Sequence, residues 1–195
     1  KSIEKFGFKG PVRRWKKVRD QIHRQVCRVG DSAKLGSFVQ SYGSNELDAS
    51  ALLIALVGFL PPTDRRIRST VEAIERTLMV DGLVRRYDPK RTKDGLHSRE
   101  GAFLACSLWL ADNLILLGRN DDARRLFESI LKLRNDVGLL AEEYDTVSER
   151  MVGNFPQAFS HVALINTAHN LARHAKPAEQ RSGEHAQTPA QETND

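Results

Sequence analysis

The densest group of reactive side chains lies in two short segments, residues 138–145 and residues 153–161. Glu142 and Glu143 are adjacent carboxylates placed between an apolar run and Tyr144, and the second segment adds amide side chains. Glycoside hydrolysis needs two carboxyl groups in different environments, one protonated and one ionised. The segments are therefore compatible with sugar chemistry, and solvated loop carboxylates are the alternative interpretation of the same residues.

The composition is that of a soluble globular protein. The chain has 195 residues, of which 40% are hydrophobic and 28% charged, which fits one sizeable domain. The net charge of +5 arises from 30 basic and 25 acidic residues, and these are mostly interleaved. This pattern favours a solvated surface over a nucleic-acid interface, and no apolar run is long enough for a membrane span. We expect neither nucleic acid nor membrane as a partner.

The two cysteines are far apart in the sequence. Cys27 and Cys106 form no CxxC motif and no cluster with histidine, so the sequence predicts no metal site. Nothing in the sequence calls for another cofactor. Both cysteines lie inside apolar helical patterns, which predicts buried free thiols and a reducing, cytoplasmic location.

Apolar residues recur at helical spacing along most of the chain, and period-two alternation typical of strands is nearly absent. The predicted helices cover residues 11–27, 49–60, 63–78, 101–117, 120–134 and 156–172. The first of each successive pair has one apolar stripe, and the second is apolar almost all round. Alternation of this kind indicates two concentric helical layers. Its spacing of about fifty residues favours an α/α toroid over a solenoid.

The long connections lead into the N-terminal ends of the buried helices. In a toroid those ends share one rim, so the loops at 42–48, 85–100 and 142–157 should converge there. Together they carry carboxylates, the pair Arg85 and Arg86, and several aromatic side chains. Such groups suit a sugar, because carboxylates and arginine bridge hydroxyl pairs while an aromatic ring stacks on the sugar ring.

Several blocks along the chain resemble glycoside hydrolase family 15, the glucoamylase family, which includes bacterial trehalases and glucodextranases. The blocks are FVQSYG at 38–43, LDAS at 47–50, RYD at 86–88, REGAFLACS at 99–107, LLAEEYD at 139–145 and GNFPQAFSH at 153–161. The resemblance implies an (α/α)6 barrel, the six-hairpin glycosidase fold, with residues 1–174 forming its C-terminal half. The remaining polar residues 175–195 have little to bury and are expected to form a disordered tail.

The resemblance also implies an inverting, exo-acting α-glucoside hydrolase acting on trehalose, maltooligosaccharide or dextran-type substrates. Glu142 matches the general base of the family, and Arg86 matches a substrate-binding arginine. The other residues expected to contact sugar are Tyr87, Glu100, Phe103 and Glu143, with structural support as the second interpretation of Glu143.

One half of the expected catalytic pair is not found. The general acid of the family lies in a Trp-Glu motif, whereas Trp15 is followed by lysine and Trp109 by leucine. We therefore expect a fragment of a longer enzyme, inactive alone, whose partner is the N-terminal half of the barrel. The competing hypothesis is a non-catalytic helical-repeat scaffold, or a remnant that binds a glycan or a partner without cleaving it.

Overall fold

The computed structural model of the chain describes residues 2–89 and 101–173. Glu100 and the tail expected at 175–195 lie outside the described residues. The helices are α1 (Ser2–Phe6), α2 (Val12–Val29), α3 (Leu53–Leu56), α4 (Arg65–Leu78), α5 (Leu104–Leu116), α6 (Asn120–Leu131) and α7 (Ala158–Arg173). A 3-10 helix at Ala49–Leu52 precedes α3. The all-α class is confirmed, and each of the six predicted helices has a counterpart.

The helix predicted over residues 49–60 is shorter than expected. It begins at Asp48, whose carboxylate accepts a hydrogen bond of 2.8 Å from the backbone N–H of Ser50 and so caps the 3-10 turn. It ends at Leu56, and Gly58 then adopts a positive φ of 70°. The chain therefore leaves the helix well before the proline pair Pro61 and Pro62.

Seven short strands in the described part of the chain were not predicted. They are β1 (Asp31–Ser32), β2 (Ser37–Phe38), β3 (Met79–Val80), β4 (Leu83–Val84), β5 (Ala102–Phe103), β6 (Glu143–Asp145) and β7 (Arg150–Val152). They form two antiparallel pairs, β1–β2 and β3–β4, and a three-stranded sheet in the order β5-β6-β7. Two or three residues are too few to show a period of two, which is why the sequence pattern missed them.

Helix α5 is the centre of the core, and it is buried on nearly all sides as predicted. It packs against α6 and α7, and polar side chains connect it to other elements. Asn113 Nδ2 donates to the carbonyl oxygen of Leu52 at 3.0 Å, and Asn170 Nδ2 donates to Asp112 Oδ1 at 2.9 Å. Because these groups are buried, their hydrogen bonds offset a desolvation cost and fix α5 against its neighbours.

Two helices differ from the prediction in what their apolar faces contact. Helix α7 was expected to be buried on most sides, yet Val162 and Ile165 are 54% and 66% exposed. Helix α2 has no buried residue; Trp15 and Ile22 on its apolar stripe are exposed, whereas Val26 packs against the core. Cys106 is buried as predicted, whereas Cys27, on α2, is only half-buried. Helical periodicity predicts that a face is apolar but not which element covers it.

Of the helices in the described ranges, none is both long enough and apolar enough to cross a membrane.

Candidate active site

A β-hairpin presents the two adjacent carboxylates. Strands β6 and β7 pair so that Glu143 lies opposite Val152 and Asp145 lies opposite Arg150. Asp145 shapes the connecting turn, since its carboxylate accepts hydrogen bonds from Val147 N–H at 3.0 Å and from the Ser148 hydroxyl at 2.6 Å. Strand β5 pairs with the other edge of β6, which places the hairpin beside the start of α5.

The residues just before the hairpin are anchored to the first turn of α7. The N–H of Gln157 donates to the carbonyl oxygen of Leu140 at 3.0 Å, and the buried Ser160 hydroxyl donates to that of Ala141 at 2.8 Å. His161 Nε2 accepts from the Leu140 N–H at 3.3 Å, while its Nδ1 lies 2.7 Å from the Gln157 carbonyl oxygen. Both ring nitrogens of His161 thus contact backbone atoms, and the residue has a structural role.

Glu142 is held at both its backbone and its carboxylate. Its carbonyl oxygen accepts from the Leu104 N–H at 3.1 Å, and its N–H donates to the Asn154 carbonyl oxygen at 3.0 Å. Its Oε2 accepts two hydrogen bonds from Asn154, one from the backbone N–H at 3.1 Å and one from Nδ2 at 2.9 Å. Within the described residues no hydrogen bond reaches Oε1, and the side chain is partly exposed. One carboxylate oxygen is therefore fixed by Asn154, and the other has no hydrogen-bond donor among residues 2–89 and 101–173.

Glu143 points to a different part of the loop. Its Oε2 accepts a hydrogen bond of 2.9 Å from the N–H of Gly101, the residue that leads into β5. A side chain at position 101 would not fit, because a Cβ atom there would lie 2.7 Å from the carbonyl oxygen of Tyr144. The Glu143 carboxylate thus fixes the entry to β5 and α5.

Phe103 lies in a small aromatic group at the beginning of α5. It is half-buried, and its ring centroid is 6.4 Å from that of Phe159 on α7. Phe159 also meets the Trp109 ring edge to face at 5.5 Å, while remaining 47% exposed itself. This group offers an aromatic surface between α5 and α7.

Arg86 reaches the rim from the loop after β4. Its carbonyl oxygen accepts a hydrogen bond of 2.7 Å from the Ala49 N–H, and its Nε lies 3.8 Å from Asp48 Oδ2. The guanidinium carbon lies 5.8 Å from the centroid of the Tyr87 ring. The Arg86 side chain is 57% exposed, whereas Tyr87 is only 8% exposed.

Cys106 is buried on the first turn of α5. Burial raises the pKa of its thiol far above its usual range. The carboxylates of Asp48 and Glu143 reinforce the rise in this pKa, and Arg86 opposes it. The thiol is therefore neutral. The convergence of the three loops on one rim stays a prediction, because most of the loop at 85–100 lies outside the described residues.

The sequence profile of Glycosyl hydrolases family 15 matches residues 1–169. The chain belongs to that family. Among its family 15 relatives, the trehalase of Mycobacterium tuberculosis is 42% identical over 179 residues, which cover 92% of this chain. The trehalase of Thermoplasma acidophilum is 43% identical over 167 residues, which cover 85% of this chain.

The family 15 relatives are much longer than this chain. The matched regions span 26% of the Mycobacterium tuberculosis trehalase and 28% of the Thermoplasma acidophilum trehalase. A solved structure described as a wild-type glycosidase superposes with a TM-score of 0.70 at 24% identity, covering 80% of this chain and 43% of that one. The likeness shows the fold, and the chain corresponds to part of such a structure.

Sequence reasoning missed two residues that shape the surroundings of Glu142. Gly153 has a φ of +76°, and a Cβ atom there would lie 3.0 Å from Glu142 Oε2. Asn154 supplies both donors to that oxygen. Their signal in the sequence is a glycine directly followed by an asparagine, with the asparagine twelve residues after Glu142. This signal is informative only once the register of the hairpin is known.

Proposed function

We propose that this chain supplies the general base of an inverting α-glucoside hydrolase, and that Glu142 is that base. The observation that carries the proposal is the asymmetric carboxylate of Glu142, with Oε2 fixed by Asn154 and Oε1 left for a water molecule. Membership of family 15 supports the class of reaction. Glu143 is the weaker candidate because its carboxylate is engaged by the backbone of Gly101.

In this mechanism Glu142 Oε1 accepts a proton from water while the water oxygen attacks the anomeric carbon. A new carbon–oxygen bond forms on one face of the sugar as the glycosidic bond breaks on the other. The leaving oxygen takes a proton from a general acid, which in this proposal comes from residues outside the chain. Inverting enzymes separate the two carboxyl groups by roughly 6.5–9.5 Å to make room for the water.

We propose trehalose as the first substrate to test, because the named relatives are trehalases. Maltooligosaccharides and dextran-type glucans are the comparison substrates. Arg86 is placed to bridge sugar hydroxyls with its exposed guanidinium, and Phe103 offers an aromatic face beside Phe159. Contacts from Tyr87, Glu100 and Glu143 stay predictions, as does the cytoplasmic location.

The apolar faces of α2 and α7 support the proposal that further helices complete the barrel. Trp15 and Ile22 on α2 are 47% and 52% exposed, and Val162 and Ile165 on α7 are more exposed still. Exposed apolar patches of this kind mark surfaces that another element covers. In the proposal, the N-terminal part of the longer enzyme packs on both faces and carries the general acid.

The test replaces Glu142 with glutamine in the intact protein that contains this chain. Glutamine keeps the shape and can still accept from Asn154, but it cannot take a proton from water. We expect kcat for trehalose to fall at least about a hundredfold. Glu149→Gln is the matched control, because Glu149 is an exposed glutamate on the turn of the same hairpin. It should leave kcat unchanged.

Wild-type turnover of trehalose, maltose and dextran by Glu142→Gln would reject the assignment. Binding of trehalose by the wild-type protein without any turnover would favour the non-catalytic scaffold instead. The anomer released by the wild type, followed by NMR, tests inversion independently, since an inverting enzyme releases the β-anomer from an α-glucoside.

A further inference from the structure

The contact between Glu142 and Asn154 is more extensive than hairpin pairing requires. Three hydrogen bonds join the two residues: Glu142 N–H to the Asn154 carbonyl oxygen, Asn154 N–H to Oε2, and Asn154 Nδ2 to Oε2. The first needs only backbone atoms. The other two hold the carboxylate, and both end on the same oxygen.

The hairpin brings Asn154 to this position. Strands β6 and β7 pair Glu143 with Val152, so the residues just beyond each strand end meet across the open end of the hairpin. Gly153 supplies the φ of +76° that turns the chain toward Glu142. It also leaves room for that side chain, since a Cβ atom at 153 would lie 3.1 Å from the Glu142 Cβ.

We propose that Asn154 is a positioning residue for the reaction, and that its amide selects Oε1 of Glu142 as the oxygen that receives the proton from water. This inference rests on the proposed function of Glu142. A carboxylate with no fixed oxygen could rotate and offer either oxygen in many orientations. Two donors on Oε2 restrict that rotation, and restricted geometry is what proton transfer from a placed water requires.

A purely structural role for the Asn154 side chain makes a different prediction. The backbone N–H and carbonyl of residue 154 bond to Glu142 whatever side chain is present. The residue is exposed, so its side chain fills no space in the core. Removing Nδ2 should therefore affect the orientation of the carboxylate and leave the fold intact.

The experiment compares Asn154→Ala and Asn154→Asp with the wild type in the intact protein, using trehalose. Alanine removes the donor, and aspartate keeps the shape but places an acceptor against Oε2. Since a hydrogen bond to a charged group is at stake, we expect kcat to fall about 10- to 100-fold for alanine, and further for aspartate. The KM should stay within about twofold and the Tm should be unchanged, because the reaction geometry is altered and the fold is not.

Asn135→Asp is the matched control. Asn135 Oδ1 accepts from the N–H groups of Leu139 and Val137 at 2.8 and 3.2 Å, so aspartate preserves its hydrogen bonds and should keep wild-type kcat. Glu142→Gln is measured in parallel. Should the Asn154→Asp protein fail to fold, Asn154→Ala is judged by the same criterion.

Wild-type kcat in the Asn154 variants, with Glu142→Gln inactive, would overturn this inference and leave the proposed function standing. A parallel loss of kcat, substrate affinity and Tm would also overturn it, because that pattern belongs to a structural residue. Wild-type activity in Glu142→Gln would instead reject the proposed function itself.

Discussion

Glu142 and Glu143 are neighbours in sequence with the same side chain, yet their carboxylates point to different partners. Glu142 Oε2 is held by Asn154 across the open end of the hairpin, and its Oε1 has no hydrogen bond within the described residues. Glu143 Oε2 accepts from the Gly101 backbone and ties β6 to the entry of α5. Glu142 lies just before β6, whereas Glu143 is its first residue.

One short segment thus divides two requirements. A base needs an oriented oxygen that water can reach, while the loop that presents it needs a fixed backbone. In the proposed function Glu142 meets the first requirement and Glu143 meets the second. Each carboxylate is accompanied by a glycine where a side chain would intrude, Gly153 beside Glu142 and Gly101 beside Tyr144.

The largest expected difference is the one between the kcat values of Glu142→Gln and Glu143→Gln. A glutamine at 143 can still accept from the Gly101 N–H, so Glu143→Gln should keep kcat within a few-fold of the wild type. Glu142→Gln should lose at least about a hundredfold, because an amide cannot act as the base. Steady-state kinetics on trehalose in the intact protein measure both. Equal losses in the two variants would remove the distinction, and a large rise in KM for Glu143→Gln would assign Glu143 to substrate contact.

Gly101→Ala tests the structural side of the comparison. The added Cβ would approach the Tyr144 carbonyl oxygen to 2.7 Å and the carbonyl carbon to 2.9 Å, and backbone atoms in a paired strand cannot easily move away. We expect the free energy of unfolding to fall by about 2–3 kcal/mol, the upper range for overpacking. Gly118→Ala is the comparison, because it has a φ of +79° but open space around it, and should cost only about 1 kcal/mol. Denaturant unfolding of the intact protein gives both values.

Gly153→Ala tests the position of the Glu142 carboxylate. Here the added Cβ would approach Glu142 Oε2 and Cβ, and part of that side chain can move away. We expect kcat to fall about tenfold as the carboxylate shifts, since small displacements of a reacting group are costly. The loss of stability should be near the 1 kcal/mol of the strained φ alone. A stability loss as large as that of Gly101→Ala, with normal kcat, would contradict this division.

Much of the helical fold was predictable because it rests on periodicity and chain breakers. The stripe of Ile67, Val71 and Ile74 in α4 and the all-round apolar pattern of α5 are local signals. The exposed face of α7 was not predictable, because what covers an apolar face is decided by elements distant in sequence. The short strands were not predictable for a different reason, since β5 and β6 are defined by their pairing and not by a pattern in the sequence.

The roles of the site residues rest on the resemblance and stay predictions. The resemblance gave Glu142 and Arg86 their expected roles, and the order of the helices predicts that their loops lie on one rim. The pairing of Glu142 with Asn154 depends on the hairpin register and on the positive φ of Gly153. Neither can be read from the neighbouring residues alone.

Asp64 is a third carboxylate, and its cap and ion pair stabilise the start of α4. Its replacement has the smallest expected effect. It caps α4 by accepting from the Arg66 N–H at 3.0 Å, and its Oδ2 lies 2.6 Å from Arg66 Nη2. The Arg66 side-chain hydrogen bond lowers the pKa of Asp64 from 3.8 to about 2. The folded state thus favours the charged form of Asp64.

The sign of the pH dependence follows from that depressed pKa. Stability from Asp64 is fully present above about pH 4, where the carboxyl group is ionised even in the unfolded chain, and it is lost as pH falls toward 2. Asp64→Asn keeps a capping oxygen but removes the charge, so we expect a loss of about 1 kcal/mol at pH 6 that shrinks between pH 4 and 2. Denaturant unfolding across this range measures it, and Arg66→Met should show the same convergence because it removes the other partner. A gap that stays constant down to pH 2 would mean that the charge of Asp64 does not account for its contribution to stability.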